Sequence, residues 1–469
     1  MRWREALNPV TMQRVALLAP RTALRDLLVA VADQGTVEVD DLTDPDPTAA
    51  SLPAAARLRG LPAEAATTRA AVSATPPDLD AIAREGRVDL LAGEAELEAR
   101  AAAAVQRDAV AGLTGWMPGD AVTDLANRVA AFGGAVVPLA RPLGVQPPTA
   151  PPRTGAAREF APLVDTYATV PYSDLNPALL AGLAYVVMFG MMFADVGDGA
   201  LLVLTAVAVR WRWWSRLERL RPVWLFLLGA GLASMAFGAL YGEFFGPTRV
   251  VPVLWLAPLD HPVTLLLAAV GVGGVLLAGA YGLGSVNRYR EGGWRAAAYS
   301  PSGLAGAALF LGLAVLVAGV YYHLLGLLGA GAAIVAAGLA VAFLGLFAAA
   351  GGRGAGATQA AIELFDLVLR LGSNLVSFAR LAAFGLTHAA LAQVVWTGTV
   401  GLWRHGPAGV VAALLLFVLG SALTFALEGL VAGVQALRLE YYELFSRVFD
   451  AEGRPFRPWH IPLAVEASC

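Results

Sequence analysis

The stretch "SNLVSFARLAAFGLTHAALAQVV", residues 373–395, is almost wholly apolar but carries one guanidinium, that of Arg380, near its middle. It lies within a longer apolar segment, and about 20 such residues suffice to cross the ~30 Å hydrocarbon layer of a bilayer. An arginine at mid-depth costs at least about 2.5 kcal/mol on insertion scales, and ionisable residues placed there usually have a function. The stretch therefore predicts a membrane helix that carries a functional cation.

The whole chain has the composition of a membrane protein. Of its 469 residues, 57% are hydrophobic and 15% are charged, which is too apolar for an ordinary soluble domain. No lysine is present, so a Gly-x-x-x-x-Gly-Lys-Ser/Thr loop is excluded and any ATP must be hydrolysed by another subunit. The single cysteine, Cys469, argues against disulfides and a cysteine-based metal site. We expect no cofactor, no metal and, at a net charge of -3, no nucleic-acid partner.

Composition changes near residue 175 and divides the chain into two parts. We predict a cytoplasmic α/β domain at 1–172 and a membrane domain with a C-terminal tail at 173–469. The first 20 residues hold only a short apolar run, so no cleavable signal is expected. A proline-rich stretch, "GVQPPTAPPRTG" at 144–155, predicts the linker between the two parts.

The first part contains two strand-helix-strand patterns, at 14–42 and 109–140, which predict one small α/β domain. The helix of the first pattern is expected to end at Gly35, because glycine commonly terminates helices. An alanine-rich insert, residues 43–108, separates the two patterns. Its latter part predicts an exposed helical segment.

The second part contains eight apolar segments, which predict about eight transmembrane helices. They lie at roughly 177–194, 199–213, 223–246, 262–285, 302–322, 324–351, 359–398 and 406–447. A helix of about 40 residues would extend ~60 Å, about twice the hydrocarbon thickness. The last two segments must therefore tilt, kink or protrude.

Arginine bias in the loops predicts the orientation, because cytoplasmic loops are enriched in basic residues. The arginine-rich loops fall between segments two and three and between segments four and five (Arg210, Arg212, Arg216, Arg219, Arg221; Arg288, Arg290, Arg295). With an even number of crossings, both termini lie in the cytoplasm. We expect a multi-pass protein of a bacterial plasma membrane.

Polar residues form stripes along the last two segments. In segment seven a polar residue recurs every seven positions, at Asp366, Ser373, Arg380 and Thr387, and Ser377 and His388 lie beside this stripe. Segment eight has the same spacing at Ser421, Glu428, Gln435 and Tyr442, with Arg438 beside it. Two facing stripes would give water and protons a route through the membrane. The alternative for each residue is an interhelical hydrogen bond, which we favour for the serines and threonines. For Arg380, Glu428, Arg438 and His388 we favour a functional role.

These residues resemble a known family. The stretch around Arg380 resembles the arginine motif of the membrane a/I subunit of rotary V-type and A-type ATPases. "GMMFADVGDG" at 190–199 is similar to that family's first-span signature, and residues 425–459 are similar to its C-terminal helix and tail. The resemblance covers the membrane part and reaches both ends of the α/β domain. The insert is shorter than the coiled-coil arm usual in the family.

The resemblance implies a stator subunit that forms two ion half-channels against a rotating c-ring and couples proton or sodium translocation to ATP hydrolysis or synthesis. Arg380 and Arg438 would keep the passing ring carboxylate ionised. Proton-path residues would lie in an outer half-channel (Glu428, His388), in an inner one (Asp366) and along the stripes (Ser377, Gln435). Glu243 would join the outer funnel or cap a loop.

The implied partners are the c-ring proteolipids, peripheral-stalk subunits of the E/G type, the central-stalk cap subunit, the soluble catalytic V1/A1 sector and the lipid bilayer. Two other functions compete with this interpretation. A standalone secondary transporter would use Arg380 to bind an anion at the midplane, although such proteins usually show inverted repeats. A purely structural anchor would not need the charged stripes.

Overall fold

The computed structural model of the chain describes residues 8–40, 52–60, 69–142, 144–152, 155–211, 221–449 and 452–464. The chain divides into two compact units. The sheet unit comprises Pro9–Pro151 and Gly453–Cys469, and the helical unit comprises Met1–Asn8 and Pro152–Glu452. The tail, which the sequence analysis grouped with the membrane part, thus belongs to the sheet unit.

The sheet unit is built on five strands with helices between them. In chain order the elements are β1 Met12–Pro20, α1 Leu24–Gln34, β2 Glu38–Val39, α2 Pro53–Arg59, α3 Leu79–Arg84, α4 Val88–Ala103, β3 Val105–Arg107, β4 Val110–Pro118, α5 Val122–Ala130 and β5 Ala135–Leu139. The strand order is β2-β4-β1-β5, with β3 also paired to β4, and all pairs are antiparallel. This is the ferredoxin-like βαββαβ arrangement, and it contains both predicted strand-helix-strand patterns.

Hydrophobic periodicity explains why these residues form these elements. In β1, Val15, Leu17 and Ala19 alternate inward and are fully or almost fully buried, as the two-residue period of a strand requires. In α1 the buried residues Leu24, Leu27, Leu28, Val31 and Ala32 follow the three-to-four residue spacing of one helical face. The two sets belong to one hydrophobic core.

The insert is helical, as predicted, but it is not an exposed arm. Residues 41–51 and 61–68 lie outside the described residues, while helix α4 covers Val88–Ala103. Leu91 is fully buried and Leu97 nearly so, and Leu97 packs into the core of the sheet unit. The helix is held against the domain because it carries apolar residues on the inward face.

The tail completes the same core. Trp459 and Ile461 are buried in it, and their backbone N–H groups donate to the carbonyl oxygens of Val37 (2.8 Å) and Ala32 (3.1 Å). The indole Nε1–H of Trp459 donates to Glu96 at 3.0 Å. Residues 453–464 are therefore an integral part of the sheet unit.

Gly35 ends α1 with a left-handed φ of +58°, as the sequence predicted, and a Cβ there would lie 2.6 Å from Nδ1 of His460. Gly86 has a similar φ of +68° but open space around it. Alanine costs about 1–2 kcal/mol at a left-handed position. We expect Gly35→Ala to cost at least ~1 kcal/mol more than Gly86→Ala, because the His460 ring must also move. Hydrogen exchange at the amide of Ile461 measures the difference, and equal protection in the two variants would contradict it.

The helical unit contains ten helices of eight or more residues among its described residues. They are α6 Ala156–Asp165, α7 Ala178–Met192, α8 Val196–Arg210, α9 Trp224–Tyr241, α10 Pro262–Tyr299, α11 Leu304–Tyr321, α12 Leu325–Ala349, α13 Gly354–Ser377, α14 Ala379–Trp403 and α15 Gly406–Leu439. A π-helical turn, Glu440–Phe445, and a final helical turn, Ser446–Val448, follow α15.

Six helical stretches among the described residues are long and apolar enough to cross a membrane (Arg221–Tyr241, Pro262–Tyr299, Leu304–Tyr321, Leu325–Ala349, Gly354–Trp403, Gly406–Val448). A largely helical membrane protein with a small N-terminal sheet domain is thereby confirmed. The count of eight is not, because the first two predicted segments form helices α7 and α8 of only 15 residues each.

The loops predicted from arginine bias have different outcomes. Residues 212–220, which hold most of the first arginine-rich loop, lie outside the described residues. The second predicted loop is largely helical, because α10 continues through Arg288, Arg290 and Arg295 to Tyr299. Its regular backbone is interrupted only at Gly292 and Gly293.

Candidate functional site

The predicted seventh segment is two helices that meet beside Arg380. Helix α13 ends at Ser377 and α14 begins at Ala379. At the break, the N–H of Phe378 donates to the carbonyl of Leu375 at 3.2 Å, and the N–H of Leu381 donates to the carbonyl of Phe378 at 3.0 Å. These bonds span three residues, so the turn is tighter than an α-helix. The predicted single segment therefore contains a tight turn directly before Arg380.

A contact with a neighbouring helix fixes the break. Phe378 is fully buried, and its ring lies over Gly273 of α10, where an added Cβ would come within 2.1 Å of the ring. Because only glycine leaves room for the ring, Gly273 and Phe378 together set the start of α14. They thereby determine where Arg380, in the first turn of α14, is placed.

Arg380 lines an open groove of about 800 Å³. Its walls come from α10, α13 and α14 (Pro262, Val263, Leu266, Ser373, Val376, Ser377, Ala379, Ala382, Ala383, Leu386). Val376 is 68% exposed at the rim. The Nη1 of Arg380 is buried without a hydrogen-bond partner, and no carboxylate of the described residues forms an ion pair with it. The groove thus presents a cation that nothing in the described part of the chain neutralises.

Helices α14 and α15 pack side by side as an antiparallel pair. Val395 lies over Gly420, and farther along the pair His388 hydrogen-bonds Glu428 through Nδ1. The structure therefore brings together these two residues, which the sequence placed on facing stripes.

Arg380 lies about two helical turns before His388 on α14, and Gln435 lies about two turns after Glu428 on α15. Because the two helices are antiparallel, Arg380 is opposite the turn that contains Gln435. The Oε1 of Gln435 is buried without a partner, whereas Arg438 is exposed in the next turn. A second cation and an unsatisfied amide oxygen therefore lie on the helix that faces Arg380.

Asp366, the predicted inner acid, forms an ion pair with Arg370 one turn further along α13. Half of its side chain is exposed, and it does not line the groove. Ser377 does line the groove, directly before the break.

A buried polar cluster surrounds His388. Its Nε2 lies 4.0 Å from Oε2 of Glu243, and neither atom has a hydrogen-bond partner. One ligand atom from each of His388, Glu243 and Asp195 lies within 4.8 Å of the other two. The structure thus places Glu243, which follows α9, against the imidazole of α14.

Asp195 has a structural role that the sequence analysis missed. As the N-cap of α8 it accepts backbone hydrogen bonds from Gly197 (2.7 Å) and Asp198 (3.1 Å). Across the cluster it also accepts from Phe245 and Gly246, both at 2.9 Å. Asp is a common N-cap residue, which was the available sequence signal, but the link to the loop after α9 is a tertiary contact.

The chain is similar to subunits of V-type ATPases and A-type ATP synthases. The sequence model of the V-type ATPase 116kDa subunit family matches residues 103–250 and 357–461. The A-type ATP synthase subunit I of Thermococcus kodakarensis is 26% identical over 370 residues, which cover 74% of this chain and 53% of the relative.

The corresponding protein of Halobacterium salinarum is 28% identical, covering 67% of this chain and 51% of the relative. V-type ATP synthase subunit I 2 of Treponema pallidum is 33% identical over 113 residues, or 24% of each chain. The chain spans about half the length of the first two of these curated relatives.

Proposed function

Because the chain belongs to the V-type ATPase 116kDa subunit family, we propose that it is the stator membrane subunit of a rotary V/A-type ATPase. In this role it forms two ion half-channels against a rotating c-ring and couples proton or sodium movement to ATP hydrolysis or synthesis. The observation that carries the proposal is the unpaired guanidinium of Arg380 in an open groove.

The groove suits a passing carboxylate. A ring carboxylate at ~4 Å from the guanidinium would be stabilised in its ionised form by about 4 kcal/mol at an effective dielectric near 20. It would release its proton there, and the guanidinium cannot take that proton over, because arginine stays protonated in proteins. Arg380 would therefore also prevent a direct leak between the half-channels. Arg438, on the facing helix, would assist as a second positive charge.

The polar residues around Arg380 divide into two routes. The buried pair of His388 and Glu428, with Glu243 beside it, would relay protons in the outer half-channel. Ser377 and Asp366, on α13, would serve the inner half-channel. Gln435 lies between the routes, where its free carbonyl oxygen can hold water.

The composition of the sheet unit supports an even number of crossings. Residues from before the first membrane helix and from after the last one share its core, so they must lie on the same side of the membrane. With the arginine bias, this supports a cytoplasmic location for both ends at a bacterial plasma membrane. The sheet unit would then meet the peripheral stalk and the central-stalk cap, and through them the catalytic V1/A1 sector.

Cysteine crosslinking tests the contact with the c-ring. The only cysteine is Cys469, so Cys469→Ser gives a cysteine-free background. Into this background we would place Val376→Cys or Ala383→Cys, both exposed in the groove. The assembled complex would carry a second cysteine one turn from the proteolipid carboxylate. We expect a disulfide crosslink from both groove positions.

Leu344→Cys is the matched control, because Leu344 is 55% exposed on α12 but does not line the groove. No crosslink is expected from it. An assembled complex with no crosslink from either groove position would refute the proposal. That result would favour the alternative from the sequence, a standalone transporter with an anion site at Arg380.

A further inference from the structure

His388 offers one ring nitrogen that the rest of the cluster leaves free. Glu428 hydrogen-bonds Nδ1, and since a carboxylate can only accept, Nδ1 carries the proton. In the neutral imidazole the other nitrogen, Nε2, then holds the lone pair that a metal ion needs, and it has no hydrogen-bond partner although the residue is only 2% exposed. A carboxylate behind an imidazole is the arrangement that orients histidine ligands toward a metal ion.

Two carboxylates complete a set of ligand atoms around this nitrogen. Oε2 of Glu243 is unpartnered, on a residue 5% exposed. Asp195 accepts a single hydrogen bond at Oδ2, from Gly246, which leaves a lone pair on that oxygen. Buried charges normally are paired or coordinate metals, and Asp198 adds a further buried carboxylate oxygen without a partner.

The distances suit a small tetrahedral ion. Zn²⁺ binds imidazole nitrogen and carboxylate oxygen at about 2.0–2.2 Å, so ligand atoms at a tetrahedral angle lie about 3.4 Å apart. The separations are now 4.0 Å between Nε2 of His388 and Oε2 of Glu243 and at most 4.8 Å within the set of three ligand atoms, so binding would contract them by about 0.6–1.4 Å. One imidazole with few oxygens favours a borderline metal over Mg²⁺ and Ca²⁺, which prefer six or more oxygen ligands.

We propose that His388, Glu243 and Asp195 form a binding site for a divalent transition metal such as Zn²⁺, oriented by Glu428. A metal there would occupy the outer proton route and inhibit translocation; this inhibition rests on the proposed function, whereas the binding does not. No metal-ligand spacing is visible in the sequence, because the three ligands come from the α7–α8 turn, the loop after α9 and helix α14.

Titration of ZnCl₂ into the full chain in lipid nanodiscs tests the site by calorimetry. We expect one Zn²⁺ per chain, undisturbed by millimolar Mg²⁺. Glu428→Gln keeps all three ligands, and it should weaken binding about 10–100-fold, the usual effect of losing an outer-shell partner. Glu243→Gln removes a ligand and should weaken binding at least as much. Glu363→Gln, an exposed acid of α13, is the control and should bind as the unmodified chain does.

X-ray absorption of the zinc-loaded chain gives a readout independent of activity, with one imidazole nitrogen and oxygens expected around the metal. Failure of the unmodified chain to bind, or equal affinity in Glu243→Gln, Glu428→Gln and Glu363→Gln variants that remain monodisperse, would overturn the site. Zinc that binds with the expected pattern but leaves ATP-driven pumping unchanged would support the site and overturn the proposed proton route through it.

Discussion

Arg380→Lys is expected to reduce ATP-driven proton pumping by the assembled complex at least about 100-fold. Lysine keeps the charge in water, but an ammonium beside a desolvated route can lose its proton. It would then neither hold a ring carboxylate ionised nor block a leak. A loss of ~3 kcal/mol of the roughly 4 kcal/mol carboxylate interaction corresponds to about 100-fold in rate. Acidification of proteoliposomes, followed with a pH-sensitive dye, measures pumping.

Arg353→Lys is the matched control, because Arg353 is an exposed arginine that precedes α13 and does not line the groove. We expect normal pumping from it and normal assembly of both variants. Full pumping by an assembled Arg380→Lys complex would refute the role assigned to the guanidinium.

Asp195→Ala is expected to destabilise the helical unit by at least about 4 kcal/mol. The substitution removes the acceptor of four backbone N–H groups, and a buried donor left without a partner costs about 1–3 kcal/mol. The Asp195→Asn variant should have a stability between those of the unmodified chain and Asp195→Ala. Its side-chain amide keeps one acceptor oxygen but places an NH₂ group against backbone donors. The midpoint of thermal unfolding in detergent measures the order of the variants.

Asp198→Asn provides the comparison for this prediction. Asp198 lies three residues later and is also buried, but its Oδ1 has no hydrogen-bond partner. Neutralising it removes an uncompensated buried charge, so we expect unchanged or higher stability. If the Asp195→Ala and Asp198→Asn variants unfolded at the same temperature, the backbone hydrogen bonds of Asp195 would not be what holds the two loops together.

The sequence predicted those features that depend on local periodicity. The inward face of α1 and its end at Gly35 follow from helical spacing and from the conformational freedom of glycine. The sequence placed His388 and Glu428 on or beside two facing polar stripes, but it did not predict the hydrogen bond between them. Arg380 was singled out because placing an arginine at the middle of a membrane costs free energy.

The features that the sequence could not provide depend on tertiary partners. Nothing in the local sequence distinguishes Phe378 from other helical residues, because its role depends on the space that Gly273 of another helix leaves for its ring. The local sequence identifies Asp195 only as a possible N-cap, whereas the hydrogen bonds from the N–H groups of Phe245 and Gly246 are tertiary contacts. The apolar segments likewise did not decide the number of spanning helices, since the first two of them form helices of only 15 residues each.

The placement of Trp459 in the sheet core has a consequence for biosynthesis. Ribosomes add about 5–20 residues per second, so all the helices of the helical unit emerge during the tens of seconds between β5 and this tryptophan. Throughout that interval the core of the nascent sheet unit lacks Trp459 and Ile461. Only chains translated through to the tail can complete this core.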